Sequence, residues 1–192
     1  AGFDYKLTLA DSTNTVGLVV DGSALGVGDN LVLNGAAETI ATLIATGGNG
    51  DDSITGGTGN DSIAGGGGTD VLAGGAGNDT FFLAGNLTAA DKIDGGSGAA
   101  DMLVLNGDYS AGLTFLATTL VNTEIIQLTD GNDYALTLNN ATNAAGLTVI
   151  RSALTGGNTL TLDGSAETAA ALVAVGGAGG DILIGGAGTD TL

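Results

Sequence analysis

Aspartate recurs every nine residues through one stretch of the chain, each time among glycines. Gly47-Gly-Asn-Gly-Asp-Asp52-Ser-Ile54-Thr runs without a gap into Gly56-Gly-Thr-Gly-Asn-Asp61-Ser-Ile63-Ala. Gly65-Gly-Gly-Gly-Thr-Asp70-Val-Leu72-Ala and Gly74-Gly-Ala-Gly-Asn-Asp79-Thr-Phe81-Phe follow. Each unit reads Gly-Gly-x-Gly-x-Asp-x-apolar-x. The pattern returns at Gly176-Gly-Ala-Gly-Gly-Asp181-Ile-Leu183-Ile and Gly185-Gly-Ala-Gly-Thr-Asp190-Thr-Leu192, and a variant with one extra residue, Gly95-Gly-Ser-Gly-Ala-Ala-Asp101-Met-Leu103, lies between. This composition suits a hard cation. Calcium takes about six to eight oxygens from carboxylates and backbone carbonyls. A turn that aims several carbonyls inward needs unusual backbone angles, which glycine adopts at little steric cost.

The rest of the composition narrows the alternatives. Asp and Glu number 21 against 3 Lys and Arg, for a formal net charge of −18. Three cations cannot neutralise a phosphate backbone, so nucleic acid is excluded as a partner. An anionic membrane surface would repel the chain, and no apolar run is long enough to insert. The chain has no His or Cys, so Ser-His-Asp and Cys-His catalysis and Cys/His zinc sites are absent. Disorder is the usual fate of acidic, Gly-rich chains. Here 43% of residues are apolar and mean hydropathy is +0.37, which supports a core instead.

A second, longer period organises the whole chain. Sliding it by 129 positions sets residues 4–63 on 133–192 with 31 of the 60 pairs identical and no gap. Asp4-Tyr5 falls on Asp133-Tyr134, and Ala37-Glu38-Thr39 on Ala166-Glu167-Thr168. The fragment therefore reads as part of a longer tandem-repeat chain, and no signal peptide is visible in it. Outside the nine-residue units the texture is short alternating strands, as in Leu31-Val-Leu33, Glu124-Ile-Ile-Gln-Leu128, Tyr134-Ala-Leu-Thr-Leu138 and Thr159-Leu-Thr-Leu162. Asn, Gly and Asp break them at turns. Helical periodicity is weak, with Glu38 to Ala45 the best short candidate. Two nine-residue units make one coil of a solenoid, so turns two units apart stack on one edge at the strand spacing of about 4.8 Å. Each x-apolar-x tail contributes one inward residue to a thin core. The larger Phe81-Phe82 pair is expected to close the array. The expected organisation is a β-solenoid part over 1–46, a calcium-binding roll over 47–104, a solenoid flank over 105–175 and the start of a second array over 176–192.

The array over residues 47–82 resembles the RTX (repeats-in-toxin) nonapeptide family. That resemblance implies an all-β, right-handed parallel β-roll with calcium-binding Gly-Asp turns. It also implies how each ion is held: Asp and the second and fourth carbonyls of one turn, with the first and third carbonyls and Asp of the turn two units on. Carried over, one site uses Gly48, Gly50 and Asp52 with Gly65, Gly67 and Asp70. A second, on the other edge, uses Gly57, Gly59 and Asp61 with Gly74, Ala76 and Asp79. Asp101, which follows an inserted residue, is a further candidate ligand that departs from the strict motif. Asp181 and Asp190 match the motif, but their stacking partners would lie beyond Leu192.

Other polar residues carry weaker signals. Asp130, Asn132 and Asp133 read as a capped turn in preference to a ligand set. Glu38 and Glu167 could be ligands or polar turn residues. Asp4 with Tyr5, and Asp133 with Tyr134, read as a structural corner. Paired carboxylates on a solenoid invite a glycosidase or lyase reading, but calcium already accounts for these aspartates and only Arg151 and two lysines could supply a basic catalyst. The chain is read as no enzyme. Its expected function is that of a calcium-binding structural module in a secreted bacterial surface protein, of surface-layer or fibrous-adhesin type, associating with neighbouring copies. The alternative is the calcium-dependent folding and secretion module of a type I-secreted enzyme or toxin. Both place it outside a Gram-negative cell.

Overall fold

A computed structural model describes residues 2–10, 16–39, 42–139, 146–151, 157–168 and 171–192. The first half winds through β1 (Asp4–Thr8), β2 (Leu18–Asp21), β3 (Asn30–Asn34), β4 (Leu43–Thr46), β5 (Ser53–Thr55), β6 (Ser62–Ala64), β7 (Val71–Ala76), β8 (Thr80–Ala84) and β9 (Lys92–Ser97). The second half continues with β10 (Met102–Asn106), β11 (Tyr109–Thr114), β12 (Leu120–Val121), β13 (Ile125–Leu128), β14 (Tyr134–Thr137), β15 (Leu147–Arg151), β16 (Leu160–Asp163), β17 (Leu172–Val175) and β18 (Ile182–Ile184). No helix occurs among the described residues. The candidate at Glu38 to Ala45 instead contains a bend at Thr39 and the start of β4, while residues 40 and 41 lie outside the described set. Its small and β-branched residues serve a strand whose Leu43 and Ala45 point inward.

The strands form a parallel β-solenoid of the β-roll type. One sheet runs without interruption in the order β17-β15-β13-β10-β8-β6-β4-β2. Facing it are two shorter sheets, β1-β3-β5-β7-β9-β12 and β11-β14-β16-β18. The chain thus crosses between faces with nearly every strand. At one coil it supplies a strand to each short sheet: β11 pairs with β14, and β12 pairs with β9. Corresponding parts of the long repeat take the same register. Tyr5 pairs with Leu31 as Tyr134 pairs with Leu160, and Leu18 pairs with Leu43 as Leu147 pairs with Leu172.

Period-two alternation decides the core. Ile54, Ile63 and Leu72 are the single buried apolar residues of β5, β6 and β7, and in β8 Phe81 is buried together with Leu83. The longer flanking strands bury two each, such as Leu31 with Leu33 and Leu103 with Leu105. The Phe81-Phe82 pair does not close the array. Phe81 joins the core, Phe82 faces outward, and β8 pairs onward with β10. Bulk at one inward position is absorbed by the next coil, whose Leu103 lies beside Phe81. Tyr134 is buried and stacks on Tyr109 with ring centroids 6.1 Å apart. Its hydroxyl donates to the carbonyls of Leu105 and Thr129, fixing the corner read from the sequence. The matching Tyr5 lies on β1, the end strand of its sheet, and is exposed.

Candidate functional site

Each motif aspartate stands immediately before or beside the start of a strand and reaches back one coil. The Asp52 and Asp70 Oδ1 atoms accept from the N–H groups of Leu31 (2.7 Å) and Asp52 (2.9 Å). On the other edge, Asp61 and Asp79 Oδ1 accept from Leu43 and Asp61, both at 2.7 Å. Asp52 to Asp70 and Asp61 to Asp79 are each steps of 18 residues, two motif units per coil. These four carboxylates are buried. The second oxygen turns back into its own turn: Asp52 Oδ2 accepts from Gly48 N–H (2.6 Å) and Asp61 Oδ2 from Gly57 N–H (2.7 Å).

Oxygens of adjacent coils converge at these turns. A Cβ built on Gly47 would collide with both Asp52 Oδ2 and the Gly65 carbonyl oxygen. One on Gly56 would collide with Asp61 Oδ2 and the Gly74 carbonyl oxygen. The first glycine of the motif is therefore required by close approach, because any side chain would fill the space where the two oxygens meet. The carbonyls of Gly48 and Gly50 face the next turn on their edge, against the α-carbons of Gly66 and Gly68, and Gly48 O accepts from Gly67 N–H at 2.9 Å. Gly57 and Gly59 face Gly75 and Gly77 likewise, and Gly57 O accepts from Ala76 N–H at 2.8 Å. The structure thus brings Gly48, Gly50 and Asp52 against the turn holding Gly65, Gly67 and Asp70. It brings Gly57, Gly59 and Asp61 against the turn holding Gly74, Ala76 and Asp79.

Asp101 is in register despite the inserted residue. Its Oδ1 accepts from Asp79 N–H at 2.7 Å across 22 residues, and Met102 pairs with Thr80. The extra residue is accommodated in the turn between β9 and Asp101. Asp181 and Asp190 make the same backward bonds, to Leu160 N–H (2.8 Å) and Leu172 N–H (2.9 Å), but are only half-buried.

Burial drives the electrostatics. It pushes Asp70 and Asp79 up to about 7, and the neighbouring carboxylates Asp52 and Asp91, and Asp61 and Asp101, add to the rise. Asp61 and Asp101 are raised for the same leading reason. Asp79 Oδ2, Asp101 Oδ2 and Glu38 Oε2 are buried with no hydrogen-bond partner. No three acidic side chains cluster into a metal site among the described residues, so a cation at these turns depends on carbonyl oxygens as well as carboxylates. The donor set fits a hard cation: buried carboxylate oxygens short of partners, and carbonyls converging with them.

Several members of this ladder escape the motif. Asp91 Oδ1 accepts from Asp70 N–H at 2.7 Å, 21 residues on, and Glu124 Oε2 accepts from Asp101 N–H at 2.9 Å, 23 residues on. Near-constant coil length is the signal that finds them. Asp91 lies in a turn without glycine, where Thr88 N–H and Oγ1–H both donate to its Oδ2. A second, exposed ladder runs through the motif's fifth position: Asp51 Oδ1 accepts from Thr69 N–H, and Asn60 Oδ1 from Asn78 N–H, both at 2.8 Å. Asp133 accepts from Thr159 N–H at 2.6 Å, 26 residues on, so this bond joins successive coils and is not a cap within its own turn. Glu38 and Glu167 are buried, and their carbonyls accept from Thr58 and Ala187 N–H groups of the next turn.

The family model of the RTX calcium-binding nonapeptide repeat matches residues 46–81 and 173–192. These two segments are RTX repeats, and the stacked turns make the chain a calcium-binding repeat module folded as a parallel β-roll. That family is structural and calcium-binding, and its repeats are typical of secreted proteins. No helix of the described residues is long and apolar enough to cross a membrane. Comparisons with curated proteins and with solved structures found no match.

Proposed function

We propose that the chain is a calcium-rigidified structural segment of a secreted surface protein, and that its array folds on meeting extracellular calcium. The observation that carries this reading is the pair of buried carboxylate columns, pushed toward neutrality by burial and by one another. A bound calcium ion would supply two positive charges between successive turns. Asp52 and Asp70, with the carbonyls of Gly48, Gly50, Gly65 and Gly67, would hold one ion. Asp61 and Asp79, with those of Gly57, Gly59, Gly74 and Ala76, would hold another, and Asp101 extends that column against Asp79. Asp181 and Asp190 would supply one side of such a site in the second array, the side that a following turn would have to complete.

Extracellular calcium modules bind at roughly 10⁻⁴ to 10⁻³ M. Within a cell the net charge of −18 would keep the chain expanded; outside, binding and folding become one event. The long repeat supports a rod or sheet built from blocks in series, with copies meeting end to end. The test is far-UV circular dichroism of chelator-treated protein during a calcium titration, with magnesium as control. A cooperative gain of β signal near millimolar calcium, absent with magnesium, is expected. A β spectrum already complete in chelator and unmoved by calcium would refute calcium-gated folding.

A further inference from the structure

The two array cradles share one construction: the Asp Oδ2 of one turn and the first carbonyl of the next meet where a Cβ on the first glycine would stand. The same construction occurs once more, outside the nine-residue units, between the turn of residues 95–101 and the turn of residues 122–124. A Cβ on Gly95 would collide with the Asn122 carbonyl oxygen and would lie 2.8 Å from Asp101 Oδ2. That Oδ2 is buried and has no hydrogen-bond partner. Glu124 takes the place of the next motif aspartate, its Oε2 accepting from Asp101 N–H at 2.9 Å.

Asn122 is held in the conformation that aims its carbonyl there. Its φ is 48°, and it is the one non-glycine residue with positive φ among those described. Asparagine tolerates that region better than most residues. Its side-chain amide donates to Asp94 Oδ1 at 2.8 Å, which fixes the turn from outside. We propose that Asp101, Glu124 and the Asn122 carbonyl form a further divalent-cation site, for calcium, beyond the nonapeptide arrays. This inference rests on the reading of the array turns as calcium sites. Asn122 is exposed and Glu124 half-buried, so water completes the coordination and the site binds more weakly than those of the array.

Isothermal titration of the whole chain with calcium tests it. Glu124→Gln keeps an acceptor for Asp101 N–H but loses the charge. It is expected to bind one ion fewer than the parent, with the array transition retained. An unchanged count and unchanged affinities in Glu124→Gln would overturn the proposal. Diffraction from the parent chain with terbium in place of calcium gives an answer that no variant's folding can obscure. Anomalous density between Asp101 and Asn122 is expected. Occupied array turns with none there would reject this site alone, whereas vacant array turns would reject the reading on which it rests.

Discussion

Residues 47–61 and 176–190 carry the same signature, with glycine at the first, second and fourth positions and aspartate at the sixth. Both make the same backward bond: Asp52 to Leu31 N–H and Asp181 to Leu160 N–H, Asp61 to Leu43 N–H and Asp190 to Leu172 N–H. They differ in what lies ahead of them. β5 and β6 are followed in their sheets by β7 and β8, whereas β18 ends its sheet among the described residues. Asp52 and Asp61 are buried accordingly, and Asp181 and Asp190 are not. A nonapeptide by itself therefore secures its aspartate only against the preceding coil. The turn two units on covers the other side, so the aspartates are enclosed only where the motif continues as an array.

Calcium withdrawal probes this difference most strongly. In calcium, amide exchange is expected to be slowest at Ile54, Ile63, Leu72 and Phe81, which are enclosed by coils on both sides, and faster at Leu183 and Thr191. In chelator the array amides should lose their protection, since the two carboxylate columns then repel without compensation. Array protection that survived chelation unchanged would mean that packing alone holds the coils together.

Acid should substitute in part for calcium. In the metal-free fold, Asp70 and Asp79 sit at about 7, above the ordinary carboxylate value of 3.8. Between those values the folded chain binds protons that the unfolded chain does not. The stability of the chelated protein is therefore greatest below the ordinary carboxylate value and is lost as pH rises through about 7. Urea midpoints of the chelated chain should fall on going from about pH 5 to about pH 8, and Asp70→Asn with Asp79→Asn should flatten that slope. A midpoint that rose with pH would contradict the burial described for these columns.

Next in size is the contrast between two equivalent glycines. A Cβ on Gly56 meets Asp61 Oδ2 and the backbone oxygen of Gly74, whereas one on Gly185 has only Asp190 side-chain atoms as its near contacts. A side chain can swing away and a backbone oxygen cannot. Gly56→Ala is expected to cost about 1–3 kcal/mol in calcium, the range for overpacking, and Gly185→Ala less. Equal losses, read from thermal unfolding, would show that the opposing coil adds no constraint.

Much of this was legible beforehand, for a physical reason. The 18-residue coil repeats the same turn and the same inward residue, so Asp52, Asp61, Asp70 and Asp79 reveal both the roll and its two edges. Beyond the array the coil lengthens to 21, 22 and 23 residues at Asp91, Asp101 and Glu124, and at Asp91 and Glu124 side chains replace glycine as turn formers. Thr88 capping Asp91 and Asn122 with its positive φ do locally what Gly-Gly-x-Gly does in the array. A motif that specifies residue types cannot find them. A rule based on where a carboxylate lands one coil later can. The outward turn of Phe82 and the transfer of strands at β11 and β12 depend on packing across coils, which no local pattern records.

The smallest expected effect lies at the fifth motif position, where the two arrays diverge in sequence. Asp51 occupies it in the first array and accepts from Thr69 N–H of the coil ahead. Gly180 occupies it in the second, with open space around its would-be Cβ and no left-handed backbone angle. Alanine there meets nothing in the fold and removes freedom from the unfolded chain, so Gly180→Ala should stabilise by about 0.4–1 kcal/mol. Stabilisation read from urea unfolding would confirm that this turn is open on the side where Asp51 is engaged. A loss of stability would show instead that in solution a further coil or a second copy packs against Gly180, so that the second array is enclosed as the first is.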